Sequence, residues 1–86
     1  MKKYRKIPEG EKFWVVGDYH SEEGIDTVIY EYRKGVEHCL QVYTSDGKSF
    51  DPGDSCSITN FLPTEIEKVY TSLEEARSAL DSLLQS

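Results

Sequence analysis

Four runs rich in aromatic and β-branched residues, separated by short turn sequences, constrain the fold of this chain more than any other feature. They predict strands at 12–19, 26–33, 36–44 and 48–50. Lys34-Gly35 predicts a two-residue turn, and Asp46-Gly47 predicts a type I′ turn, since both central positions of that turn need positive φ. Strands joined by such short turns pair antiparallel, so this half of the chain predicts a β-meander.

The rest of the chain predicts one more strand and one helix. Residues 51–64 are difficult to interpret, and 57–61 is the best candidate there for a short edge strand. Residues 66–70 predict a last strand. A helix is predicted from Ser72 to about Leu84, with Ser72 as N-cap and Glu75 completing a capping box. One apolar stripe of this helix predicts a core contact: Leu73, Ala76, Leu80, Leu83 and Leu84. The expected fold is α+β, an antiparallel sheet of four to five strands with the C-terminal helix packed on one face.

Length and composition favour one small soluble domain over residues 1–86, with residues 1–6 as a flexible basic arm. The chain has no apolar run near the roughly 18 residues that a membrane span needs, and its charged start is not followed by the apolar segment of a signal peptide. Two isolated cysteines, Cys39 and Cys56, suit reduced thiols better than a disulfide framework. We therefore expect a cytoplasmic protein.

Charge is divided unevenly along the chain. Lys2, Lys3, Arg5 and Lys6 hold four of the ten cations, so residues 7–86 carry six cations against sixteen acids, a net charge of −10. An acidic body repels phosphate over about a Debye length, ~8 Å at physiological salt, and works against the arm. Nucleic-acid binding through the arm is therefore the alternative, and a protein partner with a basic surface is the favoured expectation.

The assumed Lys34-Gly35 turn divides the strand residues between two faces. One face is expected to be aliphatic: Ile29, Val36, Leu40 and Val42. The other is expected to be rich in tyrosine, with Phe50 added by pairing to Tyr43: Val28, Tyr30, Tyr32, Cys39, Tyr43 and Phe50. One thirteen-residue helix covers a single face, which leaves the tyrosine-rich face as a candidate interface. In the alternative, the basic arm or the loop of residues 55–63 folds over it.

No catalytic constellation emerges from the sequence. His38 is predicted to lie across from Glu31 as a structural pair, and neighbouring Cys39 points to the other face, so the two do not form a nucleophile and base. The short-range spacing of a zinc site is missing, and turn chemistry accounts for the aspartates of DGKSFDPGD better than an EF-hand does. We expect a non-enzymatic protein without metal or cofactor.

These observations favour an acidic protein-interaction module. The residues expected to contact the basic partner combine the tyrosine-rich face with nearby acids: Tyr30, Tyr32, Tyr43, Phe50, Glu31, Glu37, Asp51 and Asp54. A small, acidic, motif-free chain resembles, in composition only, the stand-alone inhibitors and nucleic-acid mimics encoded by phages and mobile elements. A small ligand-binding or enzymatic domain is the other alternative.

Overall fold

The computed structural model describes residues 2–53 and 56–85, and it confirms the predicted α+β class. Five antiparallel strands form one sheet in the order β4-β3-β2-β1-β5, and helix α3 packs on one face. The elements are α1 (Lys2–Arg5), β1 (Lys12–Ser21), β2 (Gly24–Arg33), β3 (Gln41–Tyr43), β4 (Ser49–Phe50), a 3₁₀ turn (Ile58–Asn60), α2 (Pro63–Glu67), β5 (Val69–Tyr70) and α3 (Leu73–Gln85). None of the helices in the described ranges is long and apolar enough to cross a membrane.

The β1–β2 hairpin dominates the sheet. Its strands pair continuously from Lys12 opposite Arg33 to Ser21 opposite Gly24, which makes both longer than predicted. On its two sides the neighbouring strands are short, since β5 pairs only with Trp14 and Val15, and β3 pairs only with residues 29–31. The outer half of the hairpin, residues 17–28, therefore extends beyond the five-stranded part of the sheet. We call it the hairpin end.

The predicted two-residue turn at Lys34-Gly35 is wrong as a hairpin connection. A turn does form there, with the Val36 amide donating to the Arg33 carbonyl at 3.0 Å, but the chain does not pair again until Gln41. Pairing partners in β2 and β3 therefore have numbers that sum to 72, as in Ile29 opposite Tyr43, instead of 69. Because the two sums differ by an odd number, each β3 side chain lies on the face of the sheet opposite to the predicted one.

Residues 56–67 form a 3₁₀ turn and a short helix instead of the predicted edge strand, because polar side chains there accept hydrogen bonds from backbone amides. The Ser57 hydroxyl accepts from the Thr59 amide at 3.3 Å, which favours the 3₁₀ turn over the expected edge strand. The Glu65 carboxylate accepts from the Leu62 amide at 2.9 Å at the start of α2, and Pro63 suits the first turn of a helix. The predicted last strand is correspondingly reduced to β5.

Helix α3 begins where the sequence predicts. The Glu75 amide donates to the Ser72 hydroxyl at 3.1 Å, which confirms the N-cap. Ala76 and Leu80 are buried against Ile29 in β2. The predicted apolar stripe is wrong at its far end, because Leu83 and Leu84 are mostly exposed. Burial is therefore confined to the first two-thirds of the helix.

The tyrosine-rich face is covered, so the expectation of an open aromatic surface is wrong. Tyr30 and Tyr32 are 3% and 0% exposed. Helix α1 covers one part of this face, where the Tyr4 ring meets Phe13 edge-on at 5.1 Å, and the 56–67 segment covers another, where the Phe61 ring meets Tyr30 at 4.9 Å. The alternative stated from the sequence, that one or the other of these segments folds over the face, is closer to the structure, in which both do. Whether residues 1–6 are flexible stays a prediction.

Candidate interaction surface at the hairpin end

The structure does not bring the eight predicted partner-binding residues into one surface. Tyr30 and Tyr32 lie in the core under the 56–67 segment, and Phe50 is half-buried on the same face. Tyr43 lies on the opposite face, under α3, because of the register shift, and Glu31 lies on that face because it alternates with Tyr30 and Tyr32 along β2. Glu37 and Asp51 are exposed in separate loops, and Asp54 lies outside the described residues.

Glu31 was expected to contact the partner, but it lies inside the protein. It is 8% exposed, and one carboxylate oxygen, Oε1, accepts from the Trp14 indole at 3.1 Å and from the Tyr43 hydroxyl at 3.0 Å. Burial and the hydrogen bond to this carboxylate raise the pKa of Tyr43, so the tyrosine remains a donor. Glu31 is thus part of a polar network beneath the helix.

The exposed acids that do come together belong to the hairpin end. Asp18, Glu22, Glu23 and Asp26 are all exposed there, and residues 17–28 contain neither Lys nor Arg. Ile25 is 64% exposed among them, which places one large apolar side chain within the acidic surface. A charged rim around exposed apolar area is a common composition for a protein interface.

A groove of about 460 Å³ lies beside the hairpin end. It separates the outer edge of β1 from the 56–67 segment, and no Lys or Arg lines it: the lining residues are Asp18, Tyr19, His20, Tyr30, Cys56, Ser57, Asn60, Phe61 and Glu65. The groove therefore combines aromatic rings with two acids and a histidine. Such a lining suits a cationic side chain, which gains both from carboxylates and from ring faces.

Gly17 allows the groove wall to approach β1. A Cβ at this position would lie 2.9 Å from the Phe61 ring and 3.4 Å from the Tyr30 ring. The absence of a side chain lets both rings lie across the strand, and the Tyr30 hydroxyl reaches the Asp18 carbonyl, to which it donates at 2.6 Å. Burial raises the pKa of Tyr30, so this donor keeps its proton. The groove floor is consequently fixed by packing and by one hydrogen bond.

Cations gather at the other end of the hairpin. Lys3, Lys6 and Lys12 line a cleft of about 520 Å³ together with Ile7 and Val69. Lys34 joins this end through its ammonium group, which donates to the Tyr4 carbonyl at 2.9 Å and lies 4.2 Å from the centre of the Tyr4 ring. The molecule is therefore polarised along its longest strands, with an acidic end and a basic end.

Cys39 is a buried thiol beneath the tyrosine-rich face. Burial raises the pKa of the Cys39 thiol to about 12, and its Sγ donates to the Gln41 carbonyl at 3.2 Å. A neutral buried thiol is a poor nucleophile. In the ranges that the structure describes, no three His, Cys, Asp or Glu side chains form a group that could hold a metal ion.

Comparison with known proteins finds no matching family model, no similar curated protein and no similar solved structure. The hairpin end itself carries a signal that the sequence interpretation missed. Residues 13–32 form a stretch of twenty without a single Lys or Arg, bounded by Lys12 and Arg33. In a hairpin of this register, four of its five acids, Asp18, Glu22, Glu23 and Asp26, lie at one end, whereas the flanking cations and the buried Glu31 lie towards the other.

Proposed function

We propose that this protein is a non-enzymatic interaction module that binds a protein partner through the hairpin end, and that the contacting surface of the partner is basic. The observation that carries the proposal is the cation-free hairpin end itself: four exposed carboxylates and Ile25 project beyond the sheet, beside a groove that no Lys or Arg lines. An inhibitor or a nucleic-acid mimic is one form that such a module takes.

Charged groups and apolar area contribute to different steps of binding in this proposal. Carboxylates on one projecting end attract a cationic surface over about a Debye length, ~8 Å at physiological salt, which raises the association rate. Once contact is made, Ile25 and the groove rings supply the area that slows dissociation. Most of the basic residues described lie at the far end of the hairpin, so they interfere little with this approach.

The test reverses charge at the hairpin end and compares it with the same reversal elsewhere. The double variant Glu22→Lys/Glu23→Lys changes the net charge by four units at the hairpin tip. Glu74→Lys/Asp81→Lys makes the same change at exposed positions of α3, where opposite effects on the helix dipole offset each other. Both pairs avoid the buried core, so both variants should fold.

Capture from the host lysate, followed by identification and an affinity measurement, compares the three proteins. We expect one basic protein to be retained by the wild type and by the α3 variant, and to bind the hairpin variant at least about 10-fold more weakly, a loss of roughly 1.4 kcal/mol. Its capture should also weaken as salt is raised. A captured partner that the two charge reversals weaken equally, or the capture of no partner, would contradict the proposal.

A second function, nucleic-acid binding, is favoured by one observation, the cleft shared by Lys3, Lys6 and Lys12. Fluorescence anisotropy with mixed DNA and RNA at about 50 mM salt distinguishes the two functions. The acidic remainder of the chain leads us to expect only weak, nonspecific binding. Submicromolar binding with a steep salt dependence, lost in the triple Lys→Ala variant of these positions, would replace the first function with the second.

A further inference from the structure

We propose that the partner binds as an extended segment that adds a strand to the outer edge of β1, within the groove between residues 16–21 and the 57–65 segment. This inference rests on the proposed function and specifies how the same site is occupied. The segment has cationic side chains at alternate positions. The mode is strand addition, in which main-chain hydrogen bonds supply affinity and alternate side chains supply selectivity.

The outer edge of β1 is long and incompletely paired. Strand β5 pairs with Trp14 and Val15 only, so residues 16–21 of this edge have no partner strand in the ranges that the structure describes. An exposed strand edge presents rows of backbone donors and acceptors and is a template for another strand. At about 3.3 Å per residue, the six residues of this edge extend about 20 Å.

The direction of the backbone groups follows from two hydrogen bonds. The Lys34 amide donates to the Glu11 carbonyl at 2.9 Å, so backbone groups of odd-numbered β1 residues point towards β2. The Leu40 amide donates to the Glu31 carbonyl at 2.8 Å, which points Glu31 away from β1 and makes its pair with Trp14 a non-hydrogen-bonded one. Backbone groups of Asp18 and His20 therefore point outwards, into the groove, where the Asp18 carbonyl already accepts from the Tyr30 hydroxyl and keeps one lone pair for an added strand.

The surroundings of this edge select the charge of the added strand. Natural edge strands are protected by charged side chains, and here the charge is negative, from Asp18 on the edge and Glu22 at its end. A second copy of this chain would bring its own acids to the same place, so the acids oppose self-pairing. A segment with Lys or Arg neutralises them.

Strand alternation then fixes the pattern of the segment. Along β1, Trp14 and Val16 pack on the α3 side, whereas Phe13 and Val15 pack on the aromatic side, so Asp18 belongs to the α3 side. In an added strand, every second side chain lies on the side of Asp18, and the intervening ones lie towards the Phe61 wall of the groove. Alternating cationic and apolar residues fit this arrangement.

The probe is a hexapeptide of alternating Arg and Val with blocked ends. Two further peptides carry N-methyl groups, one on the three Arg amides and the other on the three Val amides. In an added strand, one set of amides donates to β1 and the other points away from β1, so the two methylated peptides should differ. We expect one to bind at least about 10-fold more weakly than the parent and the other to bind within about 3-fold of it.

Charge reversal separates this inference from the proposed function. Glu22→Lys/Glu23→Lys should weaken all three peptides, whereas Glu74→Lys/Asp81→Lys should weaken them less. If the hairpin variant alone loses affinity but both methylated peptides bind equally, docking at the hairpin end stands and strand addition is wrong. If the parent peptide does not bind the wild type, strand addition is also wrong, and lysate capture still decides the function.

Discussion

The two faces of the sheet are closed in different ways. On one face a single capped helix, α3, lies across the strands and buries Ala76 and Leu80 against Ile29. On the other face the cover is assembled from α1, the 3₁₀ turn and α2, none longer than five residues. Short pieces leave gaps between them and the sheet, and the groove beside β1 is one such gap. The candidate site therefore lies where the cover is discontinuous.

The two faces of the sheet also differ in how their buried polar groups are hydrogen-bonded. Under α3, the Glu31 carboxylate accepts from both Trp14 and Tyr43. On the tyrosine-rich face the Tyr32 hydroxyl is buried and has no hydrogen-bond partner among the residues that the structure describes. Such an orphan group destabilises the folded state, because it loses its water and gains nothing in exchange. Buried polar groups are therefore satisfied more completely under α3 than on the tyrosine-rich face.

The largest effect that distinguishes the faces is expected from Phe61→Ala. Phe61 packs against Tyr30 and Tyr32 and walls the groove. Its removal should lower the free energy of unfolding by about 3 kcal/mol. Leu73→Ala, at a half-buried position on the α3 face, should cost about 1 to 2 kcal/mol. Urea unfolding measures both.

The same two variants test whether the groove contributes to binding. Below the unfolding temperature of each, Phe61→Ala should bind the Arg-Val hexapeptide several-fold more weakly, since the groove has lost its wall. Leu73→Ala should retain wild-type affinity. Equal losses of affinity would mean that the groove has no special role in binding.

Alkaline pH should destabilise the protein mainly through the aromatic face. Burial raises the pKa of the Cys39 thiol from 9.0 to about 12, and burial also raises the pKa of Tyr30 and Tyr32. Because the folded state holds these protons more tightly, their stabilisation is complete below the unfolded pKa and is lost as pH rises through the folded pKa. Cys39 alone should lower the free energy of unfolding by roughly 1.4 kcal/mol per pH unit above about 9.

Urea titrations at pH 8, 9.5 and 11 measure this slope. Cys39→Ala should be less stable at pH 8 because it leaves a cavity, yet it should lose less stability between pH 9.5 and 11. An unchanged slope in this variant would show that the thiol does not titrate as proposed.

The smallest expected effects have opposite signs on the two faces. Tyr32→Phe removes the orphan hydroxyl and should raise the free energy of unfolding by up to about 1 kcal/mol. Tyr43→Phe removes a donor to Glu31 and should lower it by about 1 kcal/mol. Thermal unfolding at pH 7 compares them directly. Equal shifts of the same sign would remove the distinction between the faces.

Elements with strong local signals were predictable from the sequence. The strands of the β1–β2 hairpin and the capped start of α3 follow from β-branched runs and from Ser72. The register of β3 was not predictable in this way, because the 34–40 connection takes its path from distant contacts. The Cys39 amide donates to the Cys56 carbonyl at 2.8 Å, and the Ile58 amide donates to the Glu37 carbonyl at 2.9 Å.

The sequence predicted the type of candidate site, an acidic interaction surface, but not its location on the fold. Acidity and aromatic rings led to an acidic interaction surface on the tyrosine-rich face, yet the tyrosines became core once 56–67 folded over them. Residue pattern alone does not show that the Ser57 and Glu65 side chains turn this segment into short helices. The cation-free stretch between Lys12 and Arg33 was present in the sequence and would have located the hairpin end.

Amide chemical-shift mapping locates the surface at which a cationic segment binds. The ¹⁵N-labelled protein is titrated with the Arg-Val hexapeptide at low and at physiological salt, and the residues whose amides shift are located on the fold. We expect the largest shifts at residues 16–25 and 57–65, with Asp18 and His20 prominent among them, and smaller shifts at higher salt. Shifts centred on α3 or on the basic end around Lys3, Lys6 and Lys12, or no shifts at all, would contradict docking at the hairpin end.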